Sequence, residues 1–115
     1  MPPYCMKQVL TPVTGVRKLD NLSNACTNVE VVITMLPNGK ILNEVYNEIV
    51  PLGGKDSIFI DCSTVDVESA VEAAQLAKAY GVQPIDAPVS GGVVGAEAGT
   101  LTFIGKQGDA ATRTY

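Results

Sequence analysis

Runs of apolar and β-branched residues predict four strands along the chain. Residues 29–36 (VEVVITML) form the longest run, and residues 57–62 (SIFIDC) form a second. Runs of this kind, without a polar residue at every second position, are typical of strands buried on both faces of a parallel sheet. We expect a third strand at residues 83–89 and, after a glycine-rich loop at residues 91–99, a fourth strand at residues 100–104.

A helical repeat separates the first two predicted strands. The apolar residues of segment 39–50 recur at spacings of three and four, which places them on one face of a helix: Ile41, Leu42, Val45, Tyr46, Ile49 and Val50. Asn38 is suited to cap the start of this helix, and Pro51 with the glycine pair after it is suited to end it.

A second helix is predicted between the second and third strands. The Ser63-Thr64-Val65-Asp66 segment places a hydroxyl three residues before an acid, which is the pattern of a capping box with Asp in place of Glu. Gly81 is expected to end the helix. The face predicted to be apolar consists of Val67, Ala70, Val71, Ala74 and Ala77.

The alternation of strand, helix, strand, helix and strand indicates βαβ units and a parallel sheet. The predicted fold class is α/β, a Rossmann-like parallel sheet with flanking helices. A chain of 115 residues is long enough for one domain of modest size. We assign this domain to residues 15–115 and leave residues 1–14 as an undetermined N-terminal segment.

Composition and charge exclude several classes of function. The chain has 46% hydrophobic and 17% charged residues, as globular proteins do, and its net charge of -4 argues against a nucleic-acid surface. No apolar run approaches the roughly 20 residues of a membrane-spanning helix. These properties predict a protein without nucleic-acid or membrane partners.

The cysteine and histidine content limits the chemistry further. The chain has three scattered cysteines, no C-x-x-C pair and no histidine, which excludes an ordinary zinc site and every Ser-His or Cys-His arrangement. Reduced thiols in an intracellular compartment are the simplest interpretation of cysteines in this number and spacing.

Candidate binding residues follow the ends of three predicted strands, where open parallel sheets bind ligands. Pro37 and Asn38 follow the first strand and fit either a ligand contact or the end of a strand and a helix cap. Ser63 and Thr64 follow the second strand, and in such a position these residue types are more often caps than ligand contacts.

The Ser90-Gly91-Gly92 segment after the third strand has a more specific pattern. Two successive glycines permit positive φ angles and leave two N–H groups beside a hydroxyl, which is the pattern of a small-anion site. A generic turn is the alternative. The chain contains no G-x-G-x-x-G or G-x-x-x-x-G-K motif. The residues alone therefore indicate an α/β domain with a small-anion loop.

The order and spacing of three segments resemble the β-hydroxyacid dehydrogenase family related to 6-phosphogluconate dehydrogenase, and within it the 3-hydroxyisobutyrate dehydrogenases. These segments are ITMLP at 33–37, FIDCST at 59–64 and DAPVSGG at 86–92. The resemblance extends from about Gly15 to the C-terminus. It departs from the family pattern at Ile41, where a polar residue is common, and at Val67, where proline is common.

The resemblance implies oxidation of 3-hydroxyisobutyrate or a similar β-hydroxyacid to its semialdehyde with NAD or NADP, in valine catabolism. It implies that Leu36, Pro37 and Thr64 contact the cofactor and that Ser90, Gly91 and Gly92 hold the substrate carboxylate. It also implies homo-oligomers for the full-length relatives and, in a eukaryote, a mitochondrial location.

Several parts of the family pattern are not found in the sequence. We expect the glycine-rich pyrophosphate loop of the first βαβ unit to lie ahead of residue 1. The acid-base lysine, in a G-x-x-G-x-G-x-x-x-K context, and the C-terminal helical domain are expected beyond Tyr115. With no catalytic residue assigned, we predict that the chain alone is inactive. The alternatives are a non-catalytic Rossmann-type binding or scaffolding module, a sister semialdehyde or glyoxylate reductase, and a fragment that does not fold stably.

Overall fold

The computed structural model describes residues 15–107. The segment assigned to residues 1–14 lies outside the described residues. The helices are α1 (Leu22–Cys26), α2 (Gly39–Ile49), α3 (Val67–Ala79) and α4 (Gly92–Ala98), with a 3₁₀ turn at Val50–Leu52 after α2. The strands are β1 (Val31–Thr34), β2 (Ile58–Asp61), β3 (Gln83–Asp86), β4 (Val89–Ser90), β5 (Thr102–Phe103) and β6 (Lys106–Gln107).

The main sheet has the order β1-β2-β3-β6, with β1, β2 and β3 parallel and β6 antiparallel to β3. Two successive βαβ units therefore build it, through α2 and α3, and the α/β prediction is confirmed. Segment 100–104, predicted as a fourth strand, forms only the short β5. This strand leaves the main sheet and pairs antiparallel with β4.

One face of the sheet carries the helices. Val32 and Phe59 are buried beneath α2 and α3, whereas their neighbours Val31 and Ile33 are 46% and 67% exposed. The prediction that β1 is buried on both faces was therefore wrong. The strands are added in one direction, so the two crossovers place α2 and α3 side by side on the same face and, among residues 15–107, leave the other face open.

The core lies between this face and helix α2. Four residues of α2 predicted on its apolar face, Leu42, Val45, Tyr46 and Ile49, are buried, as is Val50 after it, while Ile41 is partly buried. Asn38 caps α2 as predicted, because its Oδ1 atom accepts a hydrogen bond of 2.9 Å from the N–H of Ile41.

Helix α3 begins three residues later than the capping-box pattern predicted. Its N-cap is Asp66, whose Oδ2 accepts a 3.0 Å bond from the N–H of Ser69, and Ser63 is not a cap. The predicted apolar face was wrong in part, since Val67 is 79% exposed and Ala73 is buried. Ala73 and Ala77, which are both buried, fit the close approach of α3 to α2.

The predicted glycine-rich loop is largely the helix α4. Gly99 ends this helix with φ 71°, and the N–H of Thr100 bonds the carbonyl oxygen of Gly95 at 2.8 Å. This end is a common glycine-terminated helix geometry. The run from Val93 to Ala98 with a glycine after it is a helix signal that the glycine count of the segment obscured.

Candidate functional site

Three strand ends meet at one edge of the sheet. Thr34, Asp61 and Asp86 are register partners at the last positions of β1, β2 and β3. Because the strands are parallel and adjacent, the residues that follow them start from the same edge. The predicted cofactor residues follow β1 at Leu36 and β2 at Thr64. The predicted substrate residues start at Ser90, the last residue of β4, four positions beyond the end of β3.

A buried polar network crosses the first two of these strand ends. The Oδ1 atom of Asp61 accepts hydrogen bonds from Thr34 Oγ1 at 2.8 Å, from Ser63 Oγ at 2.6 Å and from the N–H of Ser63 at 3.2 Å. Ser63 Oγ in turn accepts a 2.8 Å bond from the N–H of Leu36. Thr34, Asp61 and Ser63 are all buried. A continuous chain of hydrogen bonds therefore connects β1 and the Leu36 backbone to β2.

Sequence reasoning weighed Ser63 as a helix cap or a ligand contact, and it did not predict hydrogen bonds among Thr34, Asp61 and Ser63. A signal for the network exists in the sequence. Two apolar strands end in a threonine and an aspartate that the parallel register makes neighbours, and a buried carboxyl group requires hydrogen-bond donors.

Tyr46 and Cys62 border the network and are held in their neutral forms. Burial is the main cause that raises the pKa of the Tyr46 phenol, while a side-chain hydrogen bond with Thr34 lowers it. Burial, followed by the nearby charges of Asp61 and Asp86, raises the pKa of the Cys62 thiol. Neither group is suited to act as a base at neutral pH.

The residues predicted to contact the cofactor lie just beyond the network. Leu36 is partly buried, and Pro37 and Thr64 are exposed. The 2.8 Å bond from the Leu36 N–H to Ser63 joins the two segments that carry these residues. Asn38 serves as a helix cap, which supports the structural interpretation for that residue.

The predicted carboxylate site lies where β4 meets α4. Gly91 and Gly92 have φ angles of 127° and 60°, in the positive region that a glycine pair permits. Ser90 is the last residue of β4, and it is exposed together with both glycines. No side chain caps α4, whose first turn begins at Gly92, two residues after Ser90.

Residues 15–107 contain neither a membrane-spanning helix nor a cluster of metal-binding side chains. Among these residues no helix is long and apolar enough to cross a membrane. Within the same range, no group of three or more His, Cys, Asp or Glu side chains could hold a metal ion.

The parallel βαβ units and the candidate residues at their carboxyl edge define a Rossmann-like domain of the nucleotide-binding class. Residues 6–114 match the sequence family described as the NAD binding domain of 6-phosphogluconate dehydrogenase, and the chain belongs to this family.

The chain is similar to several proteins named as 3-hydroxyisobutyrate dehydrogenases. The enzyme of Pseudomonas aeruginosa is 44% identical over 94 residues, 78% of this chain and 31% of the relative. The mitochondrial enzyme of Drosophila melanogaster is 47% identical over 83 residues, 71% of this chain and 26% of the relative. The solved structure of Mycobacterium tuberculosis 3-hydroxyisobutyrate dehydrogenase with L-serine superposes with a TM-score of 0.75 at 40% identity, over 81% of this chain and 32% of that one. The chain thus spans about a third of the length of the relatives it matches.

Proposed function

We propose that this chain forms the part of an NAD(P)-dependent β-hydroxyacid dehydrogenase that contacts the nicotinamide end of the cofactor and the substrate carboxylate. The substrate is 3-hydroxyisobutyrate, oxidised to its semialdehyde in valine catabolism. The observation that carries the proposal is the edge of the sheet at which β1, β2 and β3 end, because all three candidate segments start from it.

Leu36, Pro37 and Thr64 fit a cofactor contact. They follow adjacent strands, and Pro37 and Thr64 are exposed. Bound NAD or NADP would accept the hydride, and this chain's residues would orient the nicotinamide ring against the sheet edge. The family's description as an NAD binding domain supports this assignment.

Ser90, Gly91 and Gly92 fit a small carboxylate. The Ser90 hydroxyl and the N–H groups at the start of α4 can donate hydrogen bonds to one carboxylate, and such charge-assisted bonds are short and directional. The related Mycobacterium tuberculosis enzyme was solved with L-serine, a small acid with a β-hydroxyl group. L-serine is therefore a suitable probe of this segment.

Binding without turnover is the expected behaviour of the 115 residues. No lysine stands in a G-x-x-G-x-G-x-x-x-K context, so no group is assigned to take the hydroxyl proton as hydride leaves. The same observation favours, as the second candidate, a non-catalytic binding module. An assay of nicotinamide absorbance with 3-hydroxyisobutyrate separates the two, because a module shows no turnover even when the chain is extended to the length of its relatives.

The proposal is tested by following backbone amide resonances of the purified chain during titration with NADH, NADPH, and then L-serine or 3-hydroxyisobutyrate. We expect cofactor to shift the amides around Leu36 and Thr64, and the acid to shift those around Gly91 and Gly92. Ser90→Ala should weaken acid binding by roughly tenfold, because a bond to a charged group is lost. Ser23→Ala, on α1 before β1, is the matched control and should bind the acid as the unsubstituted chain does.

Gly92→Ala provides a second test of the carboxylate segment. The added Cβ would have no atom within 4 Å, so only the backbone at φ 60° is affected. Loss of acid binding by this variant supports the backbone N–H contacts. Acid binding unchanged in both Ser90→Ala and Gly92→Ala, or cofactor shifts confined to residues away from the sheet edge, contradicts the proposal.

The relatives support a proposal for the cellular location of the protein. They include bacterial enzymes and a mitochondrial one, and an intracellular location with reduced thiols suits both. Cys26 and Cys62 are free and buried, which agrees with this assignment. Homo-oligomerisation is proposed for the full-length protein.

A further inference from the structure

We propose that Asp61 and Ser63 are positioning residues that hold the backbone of Leu36 and thereby orient the Leu36-Pro37 and Thr64 segments for the nicotinamide end of the cofactor. This inference rests on the proposed function, which assigns those segments to the cofactor.

Leu36 lies two residues beyond the end of β1. β1 ends at Thr34, whose carbonyl oxygen accepts the hydrogen bond from the N–H of Cys62 at 2.8 Å. Two residues later, the N–H of Leu36 bonds not to a backbone carbonyl but to the side-chain oxygen of Ser63. A single hydroxyl therefore fixes the direction in which the chain leaves β1 towards Pro37.

Asp61 fixes that hydroxyl. Ser63 Oγ donates its proton to Asp61 Oδ1 at 2.6 Å, which leaves the oxygen's lone pairs free to accept the N–H of Leu36. The same carboxyl oxygen accepts the N–H of Ser63 and the hydroxyl of Thr34. With both its donor and its acceptor engaged, the Ser63 hydroxyl is held in one orientation.

The same arrangement positions the second cofactor segment. Ser63 is bonded through both its backbone and its side chain to Asp61, and Thr64 is the next residue. The segment then continues without helix until Val67. Because Ser63 is shared, one hydrogen-bond chain sets the relative placement of Leu36 and Thr64, and a shift of either affects a cofactor that contacts both.

The structure offers a matched control on the same strand. Ser57 precedes β2 at its amino end and Ser63 follows β2 at its carboxyl end, and the two are 5% and 2% exposed. Ser57 Oγ is the buried side-chain atom without a hydrogen-bond partner among the described residues. Ser57→Ala and Ser63→Ala thus remove the same atom at similar burial, but only Ser63→Ala breaks the link to Leu36.

The test measures amide hydrogen exchange of Leu36 and affinity for NADH in the full 115-residue chain. We expect Ser63→Ala to speed exchange at Leu36 by about tenfold or more and to weaken NADH binding by roughly tenfold, with Ser57→Ala changing neither. Asp61→Asn keeps an acceptor oxygen and should restore part of both values relative to Asp61→Ala.

Each outcome decides the inference. Unchanged exchange at Leu36 in Ser63→Ala overturns it whatever the cofactor does. Faster exchange with NADH affinity equal to that of Ser57→Ala also overturns it, since the link is then structural only. If the unsubstituted chain binds NADH and L-serine at the predicted amides, the proposed function stands in both cases. If the unsubstituted chain binds no nicotinamide cofactor, the proposed function fails and the positioning role falls with it.

Discussion

Tyr46 is the residue at which the core and the candidate site meet. Its ring packs edge-on against Phe59 with centroids 5.8 Å apart at 90°, a favourable aromatic geometry. Its phenol reaches Thr34, the first member of the polar network at the sheet edge. The same side chain therefore packs α2 onto β2 and contacts the polar network through Thr34.

The buried phenol makes stability depend on alkaline pH. Burial, the largest cause, raises the pKa of Tyr46 above its ordinary value of 10.0, so the folded state retains a proton that the unfolded state releases. The contribution of the protonated Tyr46 phenol to stability is fully present below pH 10 and is lost as pH rises above 10. We expect stability in urea to fall between pH 10 and pH 11 in the unsubstituted chain.

The free energy of unfolding of the Tyr46→Phe variant should fall less steeply over the same pH interval. At pH 7 this variant should already be less stable by about 1 kcal/mol, because the hydrogen bond of the phenol is missing. Tyr80, which is 51% exposed, provides the control, because the stability of Tyr80→Phe should depend on pH as that of the unsubstituted chain does. Equal slopes in all three proteins would contradict the assigned pKa shift.

At the scale of elements, a helix or strand could be predicted where its own sequence pattern determines its structure. It could not be predicted where packing against other segments determines the structure. The cap of helix α2 and most of its buried face could be predicted, because the cap and the apolar spacing are local signals that agree. The start of α3 could not, because Ser63 bonds to Asp61 at the end of β2 and to Leu36 beyond the end of β1. Similarly, the short β4 and β5 depend on each other and on the turn that α4 makes.

The approach of α2 to α3 depends on Gly39. A Cβ added there would lie 2.5 Å from Ser69 Cβ and 2.7 Å from Asp66 Oδ1, so one of the two helices would have to move. Asn43 crosses the same contact, donating from Nδ2 to the carbonyl oxygens of Gly39 at 3.1 Å and Ser69 at 3.4 Å. The contact allows no side chain at position 39.

We therefore expect Gly39→Ala to lower the free energy of unfolding by roughly 1–3 kcal/mol, although alanine is the better helix former. Gly54→Ala is the matched control, since nothing lies within 4 Å of its added Cβ, and it should change stability by less than about 0.5 kcal/mol. Urea unfolding of the two variants checks this, and a Gly39→Ala protein as stable as Gly54→Ala would show that the helices can separate without cost.

For the molecule as a whole, the open face of the sheet is the main surface feature. It is formed by aliphatic residues from three adjacent strands that point away from α2 and α3: Val31, Ile33, Ile58, Ile60 and Ile85. Within the described residues, β1 is also an edge strand. The sequence indicated apolar strands but not this asymmetry, because a continuous apolar run does not say which face a helix will cover.

An apolar face beside a free strand edge favours association between copies of the chain. We expect sedimentation velocity to detect concentration-dependent self-association of the 115-residue chain, and Ile33→Thr to reduce it. Threonine keeps the β-branched shape that suits a strand, and position 33 is 67% exposed, so stability should change little. Val32→Thr makes the equivalent change on the covered face, where burial of a hydroxyl should cost about 1–3 kcal/mol without reducing association. A chain that sediments as a monomer at all concentrations, or an Ile33→Thr variant that associates as the unsubstituted chain does, would mean that the open face does not drive self-association.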